Sequence, residues 1–149
     1  MQIFVSSDHR GFAQKQDLLR FLQDENLDVV DLGPEKMVEG DDFNDAAIKV
    51  CKEVLKNPGS RGLLICGSAH GIAMQSNRFK GIRAIAAYTP ELASIGREHE
   101  DANVLCLSAD FVQLESNIEI LKVFLTTEAL SDERYLRRER RLDEEVNHG

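Results

Sequence analysis

The sequence predicts an α/β protein in which a five-stranded parallel sheet is covered by helices on both faces. Short apolar runs alternate with longer amphipathic stretches along the chain, which is the pattern of repeated strand–helix–strand units. The chain has 149 residues, of which 42% are apolar and 30% charged, the balance of a globular domain with its own core. It has no internal repeat and no low-complexity segment. We therefore expect one domain over residues 1–149.

The predicted strands are short runs rich in apolar residues. Parallel strands need a long crossover between them, usually a helix, and the intervening stretches are long enough to supply one. Because parallel strands end at the same edge of a sheet, polar side chains that follow different strands can meet there around a ligand. The five strands are predicted at residues 2–6, 28–32, 62–66, 82–87 and 103–107.

The predicted helices are amphipathic. The clearest covers residues 42–56, where apolar residues recur at i, i+3, i+4 and i+7 and the sequence Asn57-Pro58-Gly59 ends the helix. Thr89 is placed to cap another helix over residues 90–98. The other helices are predicted at residues 11–25, in a short segment ending near Asn77, at 114–126 and, strongly charged, at 131–146.

Charge and cysteine usage narrow the class of protein. With 18 basic and 26 acidic residues the formal charge is −8, which argues against a nucleic-acid or membrane-surface partner but not against a small anionic substrate in a locally positive pocket. The three cysteines are widely spaced, which predicts reduced thiols rather than disulfides or a zinc site. No secretory signal and no apolar run of about 20 residues is present. We expect a cytoplasmic protein that needs no metal or other cofactor.

The first polar cluster, Ser7-Asp8-His9-Arg10-Gly11, follows the first predicted strand. In such a turn an Asp can orient a neighbouring His, and the start of the next helix favours an anion. Asp8 could instead simply cap that helix, with solvated neighbours. From the residues alone both interpretations stay open.

The second cluster, Cys66-Gly67-Ser68-Ala69-His70-Gly71, joins the third predicted strand to a helix. Small residues there let backbone N–H groups approach an oxyanion, and a cysteine beside a helix N-terminus can have a lowered pKa. An inert cysteine in a tight turn explains the pattern as well. The Walker lysine and the full GxGxxG are missing, so nucleotide binding is not favoured.

The third and fourth features lie nearer the C-terminus. His99 ends a predicted helix just before the fifth strand, where it could serve as an acid or merely as a partner of the helix dipole. We expect it to adjoin the ligand edge of the sheet together with the two earlier clusters. Arg134 and Arg138, spaced i and i+4 on the last helix, share one face; they could clamp a phosphate or belong to a solvated surface.

Taken in order, four segments resemble the ribose-5-phosphate isomerase B / galactose-6-phosphate isomerase family, and the resemblance covers nearly the whole chain. It implies a Rossmann-like three-layer α/β/α sandwich with a C-terminal helix packed on a partner subunit. It also implies a homodimer or homotetramer with shared active sites, and metal-free interconversion of aldose and ketose phosphates through a cis-enediol. The segments are SSDHRGF, GLLICGSAHGIAMQSNRFKGIRA, REHEDANVL and ERYLRR.

The resemblance also implies a role for individual residues. Cys66 matches the base that moves a proton between C1 and C2, and His99 matches the ring-opening acid/base, supplied across the subunit interface. The matching substrate contacts are Asp8 and His9 at the sugar and phosphate end, Gly67, Ser68 and Gly71 in the enediolate cradle, Glu100 beside the catalytic histidine, and Arg134 and Arg138 at the phosphate.

Several positions depart from the family pattern. Glu100 replaces the usual Asn, and Phe43 replaces a Tyr whose phenol faces the ligand. Ala69-His70 replaces a Gly-Ile or Gly-Val pair, and Asp110 replaces a phosphate-binding Arg, so that it either repels phosphate or pairs with a neighbouring arginine. The leading hypothesis is an isomerase of ribose 5-phosphate and ribulose 5-phosphate. The alternatives are a subunit that is inactive without a partner, as in galactose-6-phosphate isomerase, and an isomerase of a different sugar.

Overall fold

A computed structural model of the chain describes residues 1–144. Five parallel strands form one sheet, as the sequence predicted: β1 (Gln2–Ser7), β2 (Asp28–Asp31), β3 (Arg61–Cys66), β4 (Ala84–Ala86) and β5 (Val104–Ser108). Their order in the sheet is β2-β1-β3-β5-β4, and all neighbouring pairs are parallel. Strand β4 is shorter than predicted. The backbone N–H of Arg83 donates to the side-chain oxygen of Asn103 instead of to a backbone carbonyl of the neighbouring strand.

Helices connect the strands. Thr89 caps the fourth helix by accepting the N–H of Leu92, as its position predicted. The last helix is shorter than predicted, and the end of the predicted segment, at residue 146, lies outside the described residues. The helices are α1 (Phe12–Asp24), α2 (Phe43–Lys56), α3 (His70–Ser76), α4 (Pro90–Glu100), α5 (Leu114–Thr126) and α6 (Glu133–Arg141).

The sheet separates two apolar cores. Along β1, alternate residues enter different cores because successive side chains of a strand point to opposite faces. Ile3 and Val5 pack with α1, α4 and α5, whereas Phe4 packs with α2 and α3. Cys51 and Cys106 are fully buried in the second core, where they act as small apolar side chains. This is the predicted three-layer sandwich. No helix among residues 1–144 is long and apolar enough to cross a membrane.

The two edges of the sheet carry different predicted site residues. Cys66 ends β3 and therefore lies at the carboxyl edge. Helix α4 runs back toward the amino edge, and the segment after it leads into β5. At that point the backbone oxygen of Asn103 accepts the N–H of Gly62, which lies near the start of β3, so the end of α4 is at the amino edge. His99 therefore lies at the amino edge, about 15–20 Å from Cys66 at about 3.3 Å per strand residue. The expectation that His99 adjoins the other clusters within one chain is wrong.

Helix α6 lies at the same amino edge. The ring of Tyr135 stacks on His99 with centroids 4.6 Å apart and an angle of 8° between planes. The Glu139 carboxylate forms an ion pair with the Arg83 guanidinium at 3.5 Å. Just after α6, the Asp143 carboxylate accepts the backbone N–H of Gly81. These contacts fix α6 on its own chain. Its predicted packing on a partner subunit stays a prediction.

Candidate active site

The turn between β3 and α3 surrounds the Cys66 sulfur with backbone donors. Sγ accepts the N–H of Ala69 at 3.1 Å, and the backbone N–H groups of Ile72 and Ser68 also act to lower the pKa of the thiol. Ala69 has a φ of 69°, a left-handed conformation that costs a non-glycine residue about 1 kcal/mol or more. That strain supports a conformation in which several donors converge on one sulfur atom.

Of the two interpretations that the sequence left open for Cys66, the structure does not favour a lowered pKa. Burial raises it above its ordinary value, and the nearby charge of Asp8 raises it further, whereas the hydrogen bond from Ala69 lowers it. Burial dominates because the thiol ends a strand inside an apolar core. The thiol is therefore protonated at neutral pH, and the surrounding N–H groups are arranged to hold the thiolate once it forms.

Asp8 is a buried carboxyl group at the carboxyl edge. Its Oδ1 accepts the N–H of Gly11 at 3.1 Å, and its own N–H donates to the Ile65 carbonyl at 3.3 Å. Helix α1 has no side-chain cap, so Asp8 shapes the turn before the helix rather than capping it. Burial raises the pKa of this carboxyl group. Asp8 thus presents a poorly solvated acid beside Cys66.

His9 is held by a residue that the sequence analysis did not single out. One oxygen of Asp41, Oδ1, accepts the backbone N–H of His9 at 2.7 Å and contacts its Nδ1 at 3.0 Å. The hydrogen bond to Asp41 is the main cause that raises the pKa of the imidazole, and Asp8 adds to it. Asp41 lies in an irregular segment 32 residues away, and nothing in the residue pattern links the two.

An ion pair spans the β3–α3 turn. The Nε and Nη2 atoms of Arg10 lie 2.6 and 2.5 Å from Oδ2 of Asp110. A Cβ at Gly67 would lie 2.8 Å from that carboxylate oxygen and 2.9 Å from Arg10 Nε, so only glycine fits beneath the pair. Of the two alternatives for Asp110, pairing with a neighbouring arginine is the one observed. Arg10 belonged to the first polar cluster but was given no role of its own.

Gly71 and Ser68 have structural partners in the turn. A Cβ at Gly71 would lie 2.6 Å from the Phe43 ring, so this glycine lets the ring pack on the start of α3. The Ser68 hydroxyl accepts the N–H of His70 at 3.3 Å, and the Ser68 carbonyl accepts the Tyr88 hydroxyl at 2.5 Å. The predicted cradle is therefore a turn held by its own hydrogen bonds, in which the N–H of Ala69 is directed at the cysteine sulfur.

The remaining predicted residues form a second cluster at the amino edge. Arg134 donates to the Tyr135 hydroxyl at 3.1 Å, next to the His99 ring. Arg138 lies one turn further on the same face, exposed and without an ion pair to any of residues 1–144. The Glu100 side chain is exposed, and its carbonyl accepts Arg83 Nε at 3.0 Å.

Within one chain, the predicted site is thus divided into two half-sites. We call them the cysteine half-site and the histidine half-site. The first contains Asp8, His9, Cys66, Gly67, Ser68 and Gly71, and the second contains His99, Glu100, Arg134 and Arg138. In the described part of the chain, no group of three or more His, Cys, Asp or Glu side chains could hold a metal ion.

Comparison with known proteins identifies the family of the chain. The family model described as Ribose/Galactose Isomerase matches residues 3–144. A probable ribose-5-phosphate isomerase B from Mycoplasma pneumoniae is 42% identical over 123 residues, which are 83% of this chain and 81% of that protein. A ribose 5-phosphate isomerase from Thermotoga maritima superposes with a TM-score of 0.91 at 33% identity, covering 95% of this chain and 97% of that one.

A further solved structure carries a ligand. Ribose-5-phosphate isomerase B from Mycoplasma genitalium, with bound ribulose 5-phosphate, superposes with a TM-score of 0.90 at 37% identity, covering 95% of this chain and 93% of that one. The fold and these matches define the class of protein as a sugar-phosphate isomerase. The chain belongs to the ribose/galactose isomerase family, which confirms the resemblance found in its motifs.

Proposed function

We propose that the protein interconverts ribose 5-phosphate and ribulose 5-phosphate. The observation that carries the proposal is the buried Cys66 thiol, ringed by backbone N–H groups at the ligand edge of the sheet. The structurally similar Mycoplasma genitalium enzyme binds ribulose 5-phosphate, and this chain shares 37% of its sequence. The identity of the sugar belongs to the proposal, because the matching family model covers both ribose and galactose isomerases.

Cys66 is proposed as the base that moves the carbon-bound proton. The thiolate removes the proton from C2 of the open-chain aldose. The electron pair of that C–H bond forms the C1–C2 double bond, and the π pair of the C1 carbonyl moves onto O1 to give a cis-enediolate. The thiol then returns the proton to C1 while the C2 hydroxyl proton passes to O1, so that C2 becomes the carbonyl of the ketose and the thiolate is regenerated. The N–H groups of Ser68, Ala69 and Ile72 hold the sulfur while it is negative.

The geometry of one chain implies that the site is completed by a second copy. His99, proposed to open the sugar ring, lies at the opposite edge of the sheet from Cys66, too far away to share a substrate with it. Leu92 and Ile95 stand on the same face of α4, at seven and four residues before His99, and are 47% and 48% exposed. We infer that this apolar face packs on another subunit and brings His99 to that subunit's Cys66.

The proposed phosphate contacts divide in the same way. Arg134 and Arg138 extend from α6 beside His99, so the subunit that supplies the ring opener also supplies two guanidinium groups. The cysteine half-site supplies His9, whose raised pKa favours the charged imidazolium. Glu100, where relatives carry Asn, adds a negative charge next to His99 and is the proposed reason for any change in sugar preference.

Deuterium exchange tests the proposal. The pure protein is incubated in D2O with ribose 5-phosphate, galactose 6-phosphate or unphosphorylated ribose, and NMR follows deuterium at C1 and C2. The proposal expects deuterium and ketose to appear with ribose 5-phosphate, and both to appear at least about a hundredfold more slowly in a parallel sample of the Cys66→Ala variant. Exchange with galactose 6-phosphate alone would assign a different sugar, and exchange with none would favour a subunit that needs a partner protein.

A further inference from the structure

Asp41 makes an unusual two-point contact with His9. Its Oδ1 accepts the backbone N–H at 2.7 Å and lies 3.0 Å from the ring Nδ1 of the same residue. One oxygen therefore fixes both the main chain and the side-chain torsion of His9. A carboxylate oxygen only accepts hydrogen bonds, so Nδ1 must carry the proton. The second ring nitrogen, Nε2, makes no hydrogen bond to any of residues 1–144 and is available to a ligand.

The segment that carries Asp41 is anchored where it leaves β2. Asp31 accepts two hydrogen bonds from Lys15 Nζ, at 2.9 and 3.0 Å, and one from the N–H of Gly33 at 2.9 Å. Lys15 is fully buried despite its charge, so this ion pair is shielded from water on the lysine side. The start of the irregular segment is therefore held in place by the hydrogen bonds of Asp31.

The same segment is anchored again just after Asp41. The Phe43 ring packs directly on Gly71 at the start of α3, and the Asn44 side chain donates to Gln75 at 2.8 Å. Residues 41–44 therefore contact both loops of the cysteine half-site, the one after β1 and the one after β3. A carboxylate held this firmly can restrain an imidazole, whereas one on a loose loop could not.

We propose that Asp41 is a positioning residue that fixes the His9 imidazole as a cationic donor, with Nε2 directed to an oxygen of the sugar phosphate. The part of this inference that concerns substrate rests on the proposed function. The part that concerns the imidazole does not, because Asp41 holds His9 in the protein without ligand. The charged groups that act on the ring are the carboxylates of Asp41 and Asp8.

The first test is a titration of the ligand-free protein. NMR follows the ring signal of His9, assigned by its loss in the His9→Gln variant. Asp41→Asn keeps an acceptor but removes the charge, so the imidazole should lose its proton at lower pH than in the wild type, since Asp41 raises its pKa. Asp41→Glu should restore part of the shift. Glu39→Gln, an equal charge loss on an exposed residue of the same segment, should leave the titration unchanged.

The second test is kinetic and uses the sugar phosphate that the wild type turns over. Because a charged donor binds an anion more tightly than a neutral one, KM for Asp41→Asn should rise about fivefold at neutral pH. The ratio of the variant's KM to the wild-type KM should decrease at acidic pH, where His9 is charged in both proteins. A purely structural role would instead lower kcat at all pH values. An unchanged His9 titration, or an unchanged KM at neutral pH, overturns the inference. Lack of turnover by the wild type would refute only the proposed function, because the titration stands alone.

Discussion

Removing the charge of Asp110 should increase the affinity for a phosphorylated sugar. Asp110 is bound to Arg10 through both Nε and Nη2, which leaves that guanidinium little attraction for a second anion. In Asp110→Asn the arginine keeps its position above Gly67 but recovers its net charge. The same change removes a carboxylate that repels the substrate phosphate directly. We therefore expect KM to fall while kcat changes little.

The size of the effect follows from the geometry of the pair. Two anions that contact the same guanidinium lie about 6 Å apart. The side chains are 57% and 31% exposed, so screening is strong. With an effective dielectric constant of about 40–80, Coulomb's law gives about 0.7–1.4 kcal/mol per unit charge. That corresponds to a decrease in KM of about 3–10-fold.

The assay measures KM for ribose 5-phosphate at low and at high salt. The decrease in KM caused by Asp110→Asn should be largest at low salt and should become smaller as added salt shortens the Debye length. Asp17→Asn is the matched control, because it breaks an exposed pair with Arg20 on α1, at 2.7 Å, outside the site. If both variants shift KM equally, the effect is one of overall charge, and the reasoning about Asp110 is refuted. An unchanged KM in Asp110→Asn would equally show that the phosphate does not approach Arg10.

Three other outcomes follow from the structure. Cys66→Ala should lower kcat by roughly 10²–10⁴-fold with substrate binding retained in a binding titration, and an undiminished kcat would eliminate Cys66 as the base. Because burial raises the pKa of Cys66 and only the thiolate removes a proton, kcat should rise with pH above neutrality, and a rate that falls there would contradict this. Activity should persist in EDTA; complete loss that a divalent ion restores would overturn the metal-free mechanism.

Sequence periodicity predicted the architecture because the signals are local. The helix at residues 42–56 follows an apolar stripe, and Thr89 caps α4 through a hydrogen bond three residues away. Lys15 is the exception on α1. A lysine is usually exposed, but this one lies on the buried face of the helix, and its ion pair with Asp31 on β2 makes full burial possible.

The site was predicted less completely because its contacts are not local. Arg10 and Asp110 are 100 residues apart, and His9 and Asp41 are 32 apart, so neither pair has a signature in the residue pattern. The residue pattern allowed either a lowered pKa for Cys66 or an inert thiol, because the direction of the pKa shift depends on how deeply β3 is buried. Spacing along the chain cannot supply that depth.

We propose that two subunits complete each active site, and mixed dimers test this directly. Cys66→Ala and His99→Gln should each lose nearly all turnover when expressed alone. Co-expressed with different tags, the two variants should form mixed dimers in which one site has both an intact Cys66 and an intact His99. Random pairing makes half of the dimers mixed, so about a quarter of wild-type activity should return. If both residues act within one chain, no mixed dimer contains an intact site, and the absence of recovery in purified mixed dimers would contradict the account.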